Sequence, residues 1–132
     1  MARILVANDN VDLLDCCRAI LEADGHAVEA VADGRKALWL ARNWQPDLIV
    51  IDWVMPEMDG LTAIALLRAD PTTARLPILL MSGTEGADEV ATDAGADAFL
   101  RKPFHGEQLL AEVTRLLGII DRMVQKQGQG LS

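Results

Sequence analysis

The stretch Leu48–Gly60, LIVIDWVMPEMDG, decides how this chain is read. Four aliphatic residues, Leu48–Ile51, run straight into Asp52, and Pro56 and Gly60 break the chain soon after. A short, continuous apolar run of this kind reads as a strand covered on both faces. Such a strand has no use for a lone carboxylate, which is costly to remove from water without a partner. Asp52 is therefore expected at the mouth of a site. The competing reading, a helix cap, is disfavoured because Pro56 and Gly60 place the next helix later. Asp59 is the better cap for a helix beginning near Gly60.

Working outward, Asp47–Ile51 is one of five apolar runs. The others are RILVA (3–7), AVEAV (27–31), PILLM (77–81) and DAFLR (97–101). Between them, Val11–Ala23, Gly34–Asn43, Leu61–Arg68 and roughly Glu85–Ala94 are each predicted to form a helix with an apolar face, and a fifth helix follows Pro103. Gly25, Gly34, Pro46, Gly60, Pro71, Pro77 and Gly95 fall at the boundaries. The first, third and fourth runs are nearly pure aliphatics, as central parallel strands require, whereas the second alternates and suits an edge. The pattern predicts an α/β fold, a (βα)5 doubly wound parallel sheet of five strands with helices on both faces. Gly86 is expected inside the fourth helix, where it costs roughly 1 kcal/mol relative to alanine.

In such a sheet, function collects beyond the carboxyl ends of the strands. Asn8-Asp9, Asp52, Ser82-Gly83 and Lys102-Pro103 all stand there. Adjacent Asp9 and Asp52 would repel unless a cation lay between them. Magnesium suits the pair, because it takes one or two carboxylates, keeps waters and accepts phosphate oxygens. Lys102 supplies a mobile positive charge and Ser82 a hydroxyl donor. An aspartate can itself be the nucleophile, giving an acyl phosphate, with alignment and charge neutralisation as the protein's contribution. Gly83 leaves room for the incoming group.

Composition narrows the function classes. The chain has 132 residues, 51% hydrophobic and 24% charged, which fits one globular domain. A net charge of −8, from 12 basic and 20 acidic residues, argues against direct nucleic-acid binding. The apolar runs are too short to span a bilayer and the start, MARILVANDN, lacks a signal-peptide pattern, so a cytoplasmic location with no membrane partner is expected. Cys17 falls on the core side of the first helix and Cys16 on its partly exposed side. His26 and His105 are expected at the surface, Trp39 and Trp44 in packing, and Trp53 over the site or in solvent.

The motifs ILVANDN, DLIVIDWVMPEMDG, PILLMSG and GADAFLRKPF, in this order, resemble the receiver domain of two-component response regulators, over about residues 3 to 117. The likeness is to the single-domain chemotaxis regulators. It implies a flavodoxin-like sheet in the order 2-1-3-4-5. It further implies that Asp52 is the phosphoacceptor, that Asp9 and Asp52 ligate Mg2+ with the backbone carbonyl of Val54, and that Asn8 holds the ion through a water. Ser82 would be the switch hydroxyl, Lys102 its counter-charge, and Phe99 the rotating aromatic of an output face built on the fourth helix and fifth strand. The Lys102–Pro103 bond is expected to be cis. Implied partners are a histidine kinase or phosphotransfer protein and a downstream target protein.

The chain departs from the resemblance at Asn8, where the family usually carries an acid. Loss of such an outer partner typically weakens metal affinity 10- to 100-fold. A pseudo-receiver that only binds proteins and is never phosphorylated is the alternative. An aspartate-dependent phosphatase is disfavoured, because those enzymes commonly carry a second Asp where Val54 stands. A flavodoxin-like nucleotide site is disfavoured by the acidic ANDNVD. The receiver is assigned to residues 1–117 and a helical extension with a polar, flexible tail to 118–132. Leu109, Leu110, Val113, Leu116 and Leu117 form a core-facing stripe that Ile120, Met123 and Val124 continue. That continuation is expected either to pair with a second copy as a homodimer or to lead into a downstream segment. The alternative is a helix ending at Gly118. The chain is thus a stand-alone regulator or a piece of something longer, with no room for an output domain of its own. None of the expected functions makes it an enzyme beyond its own phosphorylation and dephosphorylation.

Overall fold

A computed structural model describes residues 2–130 of the chain, with side chains described over 2–118. Strands β1 (Arg3–Ala7), β2 (Ala27–Val31), β3 (Leu48–Asp52), β4 (Ile78–Ser82) and β5 (Ala98–Arg101) alternate with α1 (Val11–Ala23), α2 (Gly34–Asn43), α3 (Gly60–Ala69), α4 (Ala87–Ala94) and α5 (Gly106–Gly130). All pairings are parallel and the order is β2-β1-β3-β4-β5. The (βα)5, flavodoxin-like architecture expected from the sequence is therefore the one observed.

Strand alternation divides the core in two. Ile4, Val6, Leu48, Val50, Leu79 and Met81 face α1 and α5, meeting Leu14, Cys17, Leu21, Leu109 and Val113. Leu5, Ile49, Ile51, Ile78 and Leu80 face the other way, meeting Ala37, Ala41, Ala63, Ile64 and Leu67 of α2 and α3 and Ala91 of α4. Helix starts are capped by short acceptors: Asn10 accepts the Leu13 amide at 3.2 Å, Asp33 that of Lys36 at 2.8 Å, and Asp59 that of Thr62 at 2.8 Å. Asp59 thus takes the capping role expected of it.

Several expectations are corrected. Gly86 is not inside α4 but is its N-cap, with φ 79°, a left-handed conformation that glycine adopts without the steric penalty of a side chain. His26 is not a surface residue: its side chain is only 10% exposed, Nδ1 accepts the Ala2 amide at 3.1 Å, and Nε2 stands 3.4 Å from Asp24 Oδ2. Trp39 does not pack; it is 63% exposed. Trp44 does pack, half-buried beneath the Arg3 guanidinium at 5.8 Å. Ile120, Met123 and Val124 lie outside the described side chains, although α5 itself passes Gly118. Among the described residues no helix is long and apolar enough to cross a membrane.

Arg68, read from the sequence only as the last residue of a helix, is a clasp. Its Nε donates to the Gly95 carbonyl at 3.0 Å and Nη1 to those of Ala74 and Leu76 at 2.9 and 2.6 Å, while Nη2 meets Asp97 Oδ2 at 2.8 Å. The same Asp97 oxygen accepts the Ile78 amide at 2.8 Å, so one side chain fastens the entrances of β4 and β5. Arg68→Ala should cost about 1–2 kcal/mol, because it leaves partly buried carbonyls without their donor. Arg68→Lys should recover little, since an ammonium cannot reproduce the fork. Urea denaturation of both variants checks this.

Candidate functional site

The register brings the sequence-predicted residues to one edge of the sheet. Ala7 pairs with Ile51 and Asp52 with Met81, so Asn8 follows β1 beside Asp52 and Ser82 ends β4 on its other side. Asp52 shares strand parity with Val50 and therefore faces the α1/α5 side. Gly60 is what keeps the next segment close: its amide donates to the Trp53 carbonyl at 2.7 Å, and a β-carbon there would strike the Asp52 carbonyl.

Asp52 is buried, and both its oxygens are engaged. Oδ2 accepts from Lys102 Nζ at 2.8 Å and Oδ1 from the Trp53 amide at 2.9 Å. Burial nevertheless raises its pKa above the ordinary carboxylate value; the Lys102 ammonium and the Trp53 amide oppose that rise and the Asp9 charge adds to it. The ion pair at 2.8 Å argues for an acidic Asp52 and the net shift argues the other way. Desolvation decides, because Lys102 remains 26% exposed and its attraction is screened by water. Beneath the site Cys17 is buried, which pushes its thiol up to about 11 and leaves it inert.

The remaining residues differ in how closely they meet this pair. Asp9 is exposed at the rim, near enough to Asp52 for its charge to be felt. Ser82 is buried, and its Oγ accepts the Thr84 amide at 3.0 Å, leaving the hydroxyl proton available to donate. The Lys102–Pro103 bond is cis, and the Lys102 amide donates to the Ser82 carbonyl at 3.1 Å. A β-carbon on Gly83 would make only ordinary contacts with Lys102. Val54 is 66% exposed two residues past Asp52. Phe99 is half-buried on the α2–α4 side of the sheet, with the Arg101 guanidinium 5.6 Å above its ring. Trp53 is also half-buried on that side.

Asn8 is fully buried. Its Oδ1 accepts the Asn10 amide at 2.9 Å, which fixes the carboxamide orientation and leaves Nδ2 with no partner among the described residues. Among the described residues no group of three or more His, Cys, Asp or Glu could hold a metal. The donors at hand are two carboxylates and backbone carbonyls, a set that fits an oxygen-seeking ion retaining most of its waters, such as magnesium. The sequence reading missed the Trp53 amide as a donor to Asp52, because a backbone group leaves no mark in a side-chain motif.

The family model for the response regulator receiver domain matches residues 4–114. The chain belongs to that family. Receiver domains work with histidine kinases and downstream effectors and are not classical enzymes. Among curated relatives, the DNA-binding dual master transcriptional regulator RpaA of Synechocystis is 39% identical over 127 residues, covering 95% of this chain and 53% of the relative. The response regulator PleD of Caulobacter vibrioides is 39% identical over 137 residues, covering 98% and 30%. The receiver thus spans about half the length of the first and less than a third of the second. Among solved structures, the receiver domain of a Pseudomonas aeruginosa sensor histidine kinase, described with a magnesium ion coordinated in its active-site cleft, is 31% identical with a TM-score of 0.83 and coverage of 89% and 98%. A chemotaxis response regulator of Vibrio cholerae is 30% identical with a TM-score of 0.83, covering 88% and 98%.

The raised pKa of Asp52 gives a testable pH dependence. The folded receiver holds the Asp52 proton more tightly than the unfolded chain, so stability falls as pH rises through the folded-state value. Asp52→Asn removes the buried charge, while Lys102 can turn to water. The variant is expected to melt a few degrees above the wild type at pH 7. The gap should narrow as pH falls through the folded-state value toward the ordinary carboxylate range. Thermal unfolding followed by circular dichroism across that range checks it.

Proposed function

We propose that Asp52 is the phosphoacceptor, taking a phosphoryl group from a histidine kinase or phosphotransfer protein in a magnesium-dependent reaction. The observation that carries this reading is the buried Asp52 carboxylate at the end of a central strand, with Lys102 Nζ 2.8 Å away. An Asp52 oxygen forms the new O–P bond as the donor's N–P bond breaks, and the displaced imidazole nitrogen keeps the electron pair. Lys102 exchanges its carboxylate partner for a phosphoryl oxygen. The Ser82 hydroxyl, already an acceptor for Thr84, donates its proton to another. Movement of Ser82 then frees space for Phe99 to turn inward, changing the face made by α4 and β5 for a downstream target. Asp9, Asp52 and the Val54 carbonyl would hold magnesium, which neutralises charge on the phosphoryl oxygens when bound. The setting we propose is cytoplasmic.

The second reading, a pseudo-receiver, is favoured by Asn8, which removes an acid from the metal side of the cleft. We further propose that the receiver proper ends near Leu117, and that the continuing α5 pairs with a second copy or leads into a downstream segment. Light scattering on the full chain and on a version ending at Gly118 tests the self-pairing form, which equal monomeric masses would sink.

Acetyl phosphate with magnesium should add one phosphoryl group to the intact mass, and Asp52→Asn should abolish the addition. An unmoved wild-type mass at saturating magnesium would replace this reading with the pseudo-receiver. Asn8→Asp puts an acceptor where the unpartnered Nδ2 stands, and should tighten magnesium binding about 10-fold. A calorimetric titration showing equal or weaker affinity would remove Asn8 from the metal's surroundings.

A further inference from the structure

Helix α3 presents little charge to solvent. Its one charged residue, Arg68, turns onto backbone carbonyls, and its exposed residues are Thr62, Ala65, Leu66 and Ala69. A helix apolar on every side is ordinarily covered on every side, yet Leu66 is 41% exposed. α3 packs between α2 and α4, and each neighbour adds one large exposed apolar side chain, Trp39 at 63% and Val90 at 36%. Among the described residues only Val11 and Val54 are comparable, and both lie at the carboxyl end of the sheet. Exposed apolar side chains on adjacent helices of one layer, rather than scattered singly, mark a contact surface.

The charges flanking this face are sorted by sign. The charged residues of α2 are Arg35, Lys36 and Arg42, all basic and exposed, and those of α4 are Asp88, Glu89 and Asp93, all acidic and exposed. Arg42 is engaged with Asp70 at 2.7 Å, and Asp88 stands 3.9 Å from Arg101. Arg35, Lys36, Glu89 and Asp93 have no ion-pair partner among the described residues. In a chain of net charge −8, a helix whose only charges are basic is itself unusual. Tryptophan and arginine together are the residues most enriched where binding energy concentrates.

We propose that the α2–α3–α4 face is a homodimer interface, occupied by the same face of a second copy about a two-fold axis running along α3. That axis lays the Leu66 strip of one copy on that of the other. It also sets basic α2 against acidic α4 of the partner, on both sides of the axis. A two-fold axis across the helices would oppose α2 to α2 and α4 to α4, like charge on like, so electrostatics selects the first arrangement. A contact of this kind is self-complementary and closes at two copies. A ten-residue helix is about 15 Å long, and three helices about 10 Å apart give a face of roughly 15 by 30 Å. That is at the small end of specific interfaces, so the dimer forms with rising concentration rather than being obligate. The interface uses neither Asp52 nor α5, and shares only α4 with the face proposed to change on phosphorylation.

Sedimentation velocity on the full chain over a concentration series tests it. A monomer–dimer equilibrium is expected, and Leu66→Glu should weaken it at least about tenfold, the effect of a buried, unpaired charge. Lys36→Glu and Glu89→Lys should each weaken it, and an equimolar mixture of these two variants should recover the wild-type affinity, because both flanks again oppose unlike charges. Circular dichroism verifies that each variant is folded; should Leu66→Glu fail, the mixing experiment decides alone. Monomer at every concentration, a dimer indifferent to the substitutions, or a mixture no tighter than its components would each overturn the interface.

Discussion

Lys102 and Asp52 are fifty residues apart in sequence and meet at 2.8 Å, and most of the molecule is arranged to let them. Their strands are not neighbours: β4 runs between β3 and β5, so the backbones stand about 10 Å apart and only a long, flexible side chain can cross the gap. Crossing requires that three parallel strands end level, which the pairing of Asp52 with Met81 and of Ser82 with Arg101 ensures. It also requires that the chain leave β3 without covering Asp52. Gly60, folded tightly under the Asp52 carbonyl, and Asp59, capping α3, meet that demand.

The pair is poised rather than strongly stabilising. Desolvation raises the Asp52 pKa despite the lysine and the Trp53 amide, so the carboxylate is held in an environment that does not fully satisfy its charge. An apolar sheet surrounds it on the inside and water meets it at the rim. Such a balance suits a group that must exchange one set of partners for another, because no deep well has to be vacated first. The Nδ2 of Asn8 belongs to the same picture: it is a buried donor beside the carboxylate edge that meets no acceptor among the described residues.

The two sides of the sheet differ in how they meet solvent. α1 and α5 close over the side that carries Asp52, whereas α2, α3 and α4 cover the other with small buried alanines and leave Leu66 and Trp39 uncovered. The curated relatives RpaA and PleD are longer proteins, of which the matched segment makes up about half and less than a third.

Fold class, strand boundaries to within a residue, the Asp59 cap and the identities at the sheet's carboxyl edge were legible in the sequence. These rest on local physics: aliphatic runs bury, glycine and proline interrupt, short acceptors cap helices, and strand alternation assigns faces. The strand ends at Asp52, Ser82 and Lys102 foretold that these residues meet at one edge of the sheet. Arg68, His26 and Trp39 were not legible, because burial of a single polar or aromatic side chain depends on what a distant segment places beside it. The carbonyls that Arg68 gathers come from two separate loops, and the Ala2 amide that fixes His26 comes from the residue just before β1. The Trp53 amide on Asp52 was hidden for a different reason, since every residue but proline carries the same donor and only backbone direction decides where it points. Sequence determined which groups the chain possesses and the order in which they reach the sheet edge. Tertiary structure alone decided which of them lose their water, because the burial of a carboxylate, a guanidinium or an indole depends on what distant segments lay over it.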